Sequence, residues 1–250
     1  MHGSGPGVSA WSNFRGNLPT FAAGFRTIAL DFPGFGVSYG CEGSPLSAAP
    51  GAVVDLLDAL DLESVAIVGN SMGGNVGAQV AAAHPDRVSR LVTIGGLGVG
   101  LFSPSPAEGV KLLVQFVEDP TRERLVAWME SMVFDPSILT AELVDLRWQA
   151  ASQPDALTDV RRMFNSKVLG AMRRAPLAAP DQVATLAKVK APTLITWGRD
   201  DRVTPLDHML VPMRVIRRCE VHVFPDCGHW AMIERQTEFE RVALEFLGRS

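Results

Sequence analysis

The chain has 250 residues, 47% apolar and 20% charged, with a formal net charge of -4. That length builds one domain, or one domain with a large insertion, around a substantial core. With no long basic run, nothing in the composition recommends a nucleic-acid or acidic-membrane partner, and none is expected. No apolar run reaches membrane-spanning length. The opening Met-His-Gly-Ser-Gly-Pro-Gly lacks the basic start and apolar stretch of a signal peptide. The three cysteines, Cys41, Cys219 and Cys227, fit neither a disulfide framework nor a zinc site, so a reduced, cytoplasmic setting without a metal is expected.

In chain order, short β-branched and aliphatic runs alternate with helical patterns. The runs predict strands at Thr27–Asp31, Val65–Gly69, Arg90–Ile94, Thr193–Gly198 and Glu220–Phe224. Helices are expected near 48–60, 72–84, 206–216 and 236–247. Alternation of this kind predicts βαβ units: an α/β fold with a mostly parallel sheet and helices on both faces. Residues 101–190 break the rhythm. They carry helical patterns such as Val110/Leu113/Val114/Val117 and Leu125/Trp128/Met129/Met132, separated by prolines at 104, 106, 120, 136, 154, 176 and 180. The expected organisation is a core of residues 1–100 and 191–250 with an all-helical lid over 101–190.

Gly69-Asn70-Ser71-Met72-Gly73-Gly74 lies between a predicted strand and a predicted helix. This is the nucleophile elbow pattern G-x-S-x-G in the context it requires. Small residues two before and two after Ser71 tolerate a sharp turn, and the helix start behind it offers N–H groups to a developing oxyanion. A serine nucleophile needs a base. Of five histidines, His229 stands in a loop after the last predicted strand, whereas His84, His208 and His222 fall in or at the end of helices and a strand. The acid that orients His229 is one of two neighbours, Asp200 or Asp201, which spacing does not separate. One oxyanion donor is the backbone N–H of Met72; the other is expected from the glycine-rich loop His2–Gly7, at Ser4 N–H. Arg147 lies beside the stripe Leu139/Leu143/Leu146/Ala150, where a guanidinium is costly without an anion. Glu142, Asp145 or a substrate carboxylate could supply it.

Taken together, His2-Gly-Ser-Gly-Pro-Gly with Trp11-Ser12-Asn13, Asp31-Phe-Pro-Gly-Phe-Gly36, the Ser71 elbow, Leu146-Arg147-Trp148, Trp197-Gly-Arg-Asp-Asp-Arg202 and Cys227-Gly-His-Trp230 resemble the meta-cleavage-product hydrolases. These are α/β-hydrolases that cut carbon–carbon bonds in bacterial aromatic and steroid-ring degradation. The resemblance implies a Ser71–Asp201–His229 triad and an oxyanion hole from Ser4 and Met72. It implies that Asn13, Asn70, Arg147 and Trp230 hold the dienoate end of a 2-hydroxy-6-oxohexa-2,4-dienoate. It further implies no cofactor, a small-molecule substrate and a homo-oligomer, dimer or tetramer. Relatives of this fold carry several strands before the glycine-rich loop, which here begins at residue 2. N-terminal strands are therefore expected to be missing, through a late start or truncation. A carboxylesterase or enol-lactone hydrolase of the same fold would share the triad without needing Arg147 or the asparagines, and a truncated chain could be an inactive relative.

Overall fold

The computed structural model describes residues 1–98, 100–153, 156–174 and 180–249; of the expected helix breaks, Pro154 and Pro176 lie outside the described residues. Four strands, β1 (Val65–Asn70), β2 (Val88–Ile94), β3 (Thr193–Gly198) and β4 (Cys219–Phe224), form one parallel sheet in the order β1-β2-β3-β4. β3 is buried along its whole length, as an inner parallel strand covered on both faces must be. Its polar groups are therefore satisfied internally: Thr196 Oγ1 donates to Thr93 O at 2.7 Å and Trp197 Nε1 to Thr204 O at 2.8 Å.

The expected strand at Thr27–Asp31 does not form. Its residues have strand propensity, but a strand exists only through a ladder, and no described strand pairs with it. The outer edge of β1 is met by Met1 instead, whose N–H group donates to Val68 O (2.7 Å) and whose carbonyl accepts from Asn70 N (3.0 Å). The predicted helix over 206–216 is split into a 3-10 turn, Leu206–Met209, and a short helix, Leu210–Val215. Pro212 has no N–H to give to the preceding turn. The helices Pro45–Ala59, Met72–Ala83 and Gln236–Leu247 lie where the sequence patterns put them, the first beginning earlier than expected with a proline in its first turn.

Between β2 and β3 the described residues form helices only: Glu108–Glu118, Arg122–Ser131, a 3-10 turn at Pro136–Ile138, Ala141–Ala151, Ala156–Met163, Ser166–Arg174 and Pro180–Leu186. Their starts are written in the sequence. Thr121 Oγ1 accepts from Arg124 N and Thr140 Oγ1 from Leu143 N, each the side-chain cap of its helix. Val110, Leu113, Val114 and Val117 are all buried, as are Leu125, Trp128, Met129 and Met132. The Pro180–Leu186 helix packs against Met72–Ala83. Among the described residues no helix is long and apolar enough to cross a membrane.

Candidate active site

Asn70, Ser71, Asp201 and His229 stand at the carboxyl ends of β1, β3 and β4, where crevices open in a parallel sheet, while Ser4 is on the N-terminal loop, Asn13 on the Ala10–Phe14 helix and Arg147 on the Ala141–Ala151 helix. Ser71 directly follows β1 with φ 52° and ψ -113°, the left-handed region that an L-residue enters only at a cost. Close packing enforces the turn. A Cβ on Gly69 would lie 2.3 Å from the Gly73 carbonyl carbon, and one on Gly73 2.5 Å from Met1 O. Ser71 N donates to Ile94 O (2.8 Å), tying the turn to β2. Met72 opens the helix, so its N–H has no partner within that helix.

His229 follows β4, on a loop that doubles back across the end of β3. The crossing is so close that a Cβ on Gly198 would stand 1.9 Å from Gly228 O. His229 N donates to Met132 O at 2.7 Å, which fixes the loop. Its Nδ1 donates to Asp201 Oδ2 at 2.6 Å, and both side chains are 1% exposed. Asp201, not Asp200, makes this contact; Asp200 is paired with Arg199 at 3.3 Å. Asp201 is locked in turn: Oδ1 accepts from Val203 N and Thr204 N, both at 2.8 Å, and Oδ2 accepts from Thr204 Oγ1 at 2.9 Å. The opposite imidazole nitrogen, Nε2, is buried and has no partner. It lines the cavity that also holds Ser71, so it is free to take a proton from a hydroxyl placed there.

That cavity has a volume of about 500 Å³. Ser4, Asn13, Asn70, Met72, Arg147 and Trp230 all line it. The two asparagines are not equivalent. Asn70 is committed, with Nδ2 donating to Ile94 O (3.1 Å) and Oδ1 accepting from Asn13 Nδ2 (2.9 Å). Asn13 keeps its Oδ1 and one amide hydrogen. The loop that bears Ser4 is pinned by His2, whose Nδ1 donates to Gly3 O (2.6 Å) while Nε2 accepts from Phe32 N (3.0 Å). That pattern needs a neutral ring, and burial holds the His2 pKa down at about 4.

Arg147 is 4% exposed, on a face that differs from the expected stripe. Leu146 is 44% exposed, and the buried positions are Val144, Arg147 and Ala151. The arginine thus points inward. Neither neighbouring acid serves it: Asp145 pairs with Arg122, and Glu142 is exposed. Among the described residues it meets no carboxylate; its contact is the face of Trp230, 5.7 Å from the ring centroid. Burial, with Arg15 adding like-charge repulsion, pushes its pKa down to about 10. A guanidinium so placed has N–H groups that can pair with an anion.

Sequence reasoning missed Thr204 and Trp128. The Thr204 hydroxyl touches both Asp201 and, at 3.3 Å, His229 Nδ1; its place three residues after an acid at a strand end is the signal that could have found it. Trp128 fits a core stripe, yet it lines the cavity with a buried, unpartnered Nε1–H.

The chain matches a family model described as the alpha/beta hydrolase fold over residues 1–236. It is 40% identical to a 2-hydroxy-6-oxo-6-phenylhexa-2,4-dienoate hydrolase of Comamonas testosteroni, the match covering 99% of this chain and 86% of that one. It is 39% identical to a 2-hydroxy-6-oxononadienedioate/2-hydroxy-6-oxononatrienedioate hydrolase of Paraburkholderia phymatum, with 100% and 86% covered. A solved meta-cleavage product hydrolase from Pseudomonas fluorescens IP01 superimposes with a TM-score of 0.87 at 32% identity, covering 98% of this chain and 88% of that one.

Proposed function

The chain belongs to the alpha/beta hydrolase fold family, and from that premise we propose that it cleaves the C5–C6 bond of 2-hydroxy-6-oxohexa-2,4-dienoates by serine catalysis. One observation carries the choice of substrate: a buried arginine that meets no carboxylate among the described residues, Arg147, shares its cavity with Ser71 and the Asp201–His229 pair. A simple ester gives such a charge nothing to bind. A dienoate has a carboxylate at one end and a ketone at the other.

In this reading Arg147 holds the C1 carboxylate, with Trp230 beneath the guanidinium and the free amide atoms of Asn13 on the 2-oxygen. Asn70 acts through Asn13 by fixing its orientation. After the dienol has ketonised, Ser71 Oγ attacks C6 and passes its proton to His229 Nε2, while Asp201 stabilises the imidazolium. The C6 oxyanion is held by Met72 N–H and Ser4 N–H. The C5–C6 bond breaks, its electron pair passes along the conjugated chain to the 2-oxygen, that oxygen takes the proton from His229, and 2-hydroxypenta-2,4-dienoate leaves. Water, deprotonated by His229, then releases the acyl group from Ser71 as a carboxylic acid, so one water is consumed per turnover. The helices over 101–190 serve as the lid that keeps bulk water out. The same reading makes the protein a cytoplasmic homo-oligomer, dimer or tetramer, of aromatic or steroid-ring degradation, working without metal or cofactor.

The test compares a 6-phenyl dienoate with a neutral aryl ester as substrates for the native chain and for Ser71→Ala. Cleavage of the dienoate with at least comparable kcat/KM, and its loss by several orders of magnitude in the variant, is expected. Ester hydrolysis with no dienoate cleavage would make the protein an esterase.

A further inference from the structure

The cavity is chemically polarised. Its lining includes Arg147, Trp128 and Asn13. The wall on the Asp201–His229 side is different. Val110 and Leu113 come from the Glu108–Glu118 helix, whose start is fastened by Gly109 N donating to Arg202 O at 2.9 Å. Val203 follows Arg202 in the same wall, and Met132 precedes it from beside the His229 loop. Val168 and Met172 come from the Ser166–Arg174 helix, which packs on Glu108–Glu118. Apart from Arg147, the one arginine or lysine among the described lining residues is Arg162. Its charge is already paired: Nη1 donates to Asp159 Oδ1 (2.7 Å) and also meets Cys41 O (2.7 Å) and Gly43 O (3.3 Å). Ser44, Asn75 and Thr204, further polar side chains of the lining, carry no charge.

Resting on the dienoate reading, we propose that the group on C6 of the substrate is uncharged and apolar, an aryl or alkyl group, and that a substrate ending in a second carboxylate is rejected. Relatives named for a phenyl-bearing substrate and for a dicarboxylate are almost equally similar to this chain, so identity does not choose between them; the wall does. An anion placed against valine, leucine and methionine loses its hydration and gains no cation. An aryl or alkyl group gains by leaving water. Methionines at 132 and 172 adapt to different apolar shapes, so the wall selects on charge rather than on outline. The scissile ketone lies between the two ends, at Ser71, which orients the C1 carboxylate toward Arg147 and the C6 group toward this wall.

The experiment measures kcat/KM of the native chain for a 6-phenyl dienoate and for 2-hydroxy-6-oxononadienedioate. Alongside, p-nitrophenyl butyrate and mono-p-nitrophenyl succinate probe the acyl side through the same serine. A preference for the uncharged member of about 100-fold is expected in both pairs. A preference under tenfold in either pair, or a reversed one, overturns the proposal. If neither dienoate is cleaved while the butyrate ester is still favoured, the carbon–carbon hydrolase reading fails and the apolar acyl wall stands.

Discussion

Replacing Arg147 by methionine should make the protein more stable and less useful. The pKa depression of this buried guanidinium corresponds to about 3 kcal/mol of desolvation carried by the folded state at neutral pH. Its stacking on Trp230 returns about 1–2 kcal/mol. Methionine keeps the apolar stem and removes the charge, so the net gain is about 1–2 kcal/mol, or roughly 2–8 °C in Tm for a chain of this size. Dienoate cleavage should fall by about 2–5 kcal/mol, the usual cost of unpairing a buried charge pair, which is roughly 30- to 5,000-fold in kcat/KM. A neutral aryl ester should be hydrolysed almost as before. Arg147→Lys should recover little of the loss, since an ammonium does not reproduce the planar fork. Calorimetry and parallel assays on the two substrates decide the matter. A lower Tm with equal losses on both substrates would show that Arg147 only braces its helix and would refute the reasoning.

Asp201→Asn should lower kcat by about 10⁴-fold by favouring the wrong imidazole tautomer, and Asp200→Asn by less than about threefold; comparable losses would mean the two acids share the role. Thr204→Val removes the hydroxyl on Asp201 Oδ2 but keeps the methyl group, and should cut kcat about tenfold with KM unchanged, while Thr204→Ser restores it; a serine variant as slow as valine would assign Thr204 to packing alone. His2 is neutral when folded with its pKa near 4, whereas the unfolded chain binds a proton below about 6.5. Stability should therefore be intact above pH 6.5 and fall by about 3 kcal/mol as the pH drops toward 4. Urea unfolding of the native chain and of His2→Gln across that window reads this directly, and identical slopes would exclude His2 as the cause.

The elbow and the order serine, acid, histidine were legible because each residue follows a strand whose β-branched run is unmistakable. The choice between Asp200 and Asp201 was not, since one residue of backbone rotation decides which carboxylate turns inward. In the structure the N–H groups of Val203 and Thr204 capture Asp201, and it is Asp201 that meets His229. The burial of Arg147 does not follow the expected stripe. The leucine count pointed to a stripe through Leu139 and Leu146, but the buried face runs through Val144 and Ala151, and the arginine is on it. Thr27–Asp31 shows the limit of propensity, because whether a run becomes a strand depends on what lies beside it.

The loop that carries His229 crosses over Gly198 and is held at Met132 O, while Ser71 is tied to Ile94 O and Asp201 to its own turn. Ser71 and Asp201 are thus bolted to the ends of the strand ladder, whereas Arg147 and most of the apolar wall ride on helices between β2 and β3. The two halves of the site answer to different parts of the molecule's flexibility. Opening the Ala141–Ala151 helix changes what is admitted without loosening Ser71 or Asp201, whereas His229 is also tied to the helical segment through Met132 O. Drift in substrate preference is therefore cheap for this fold, and drift in reaction chemistry is expensive.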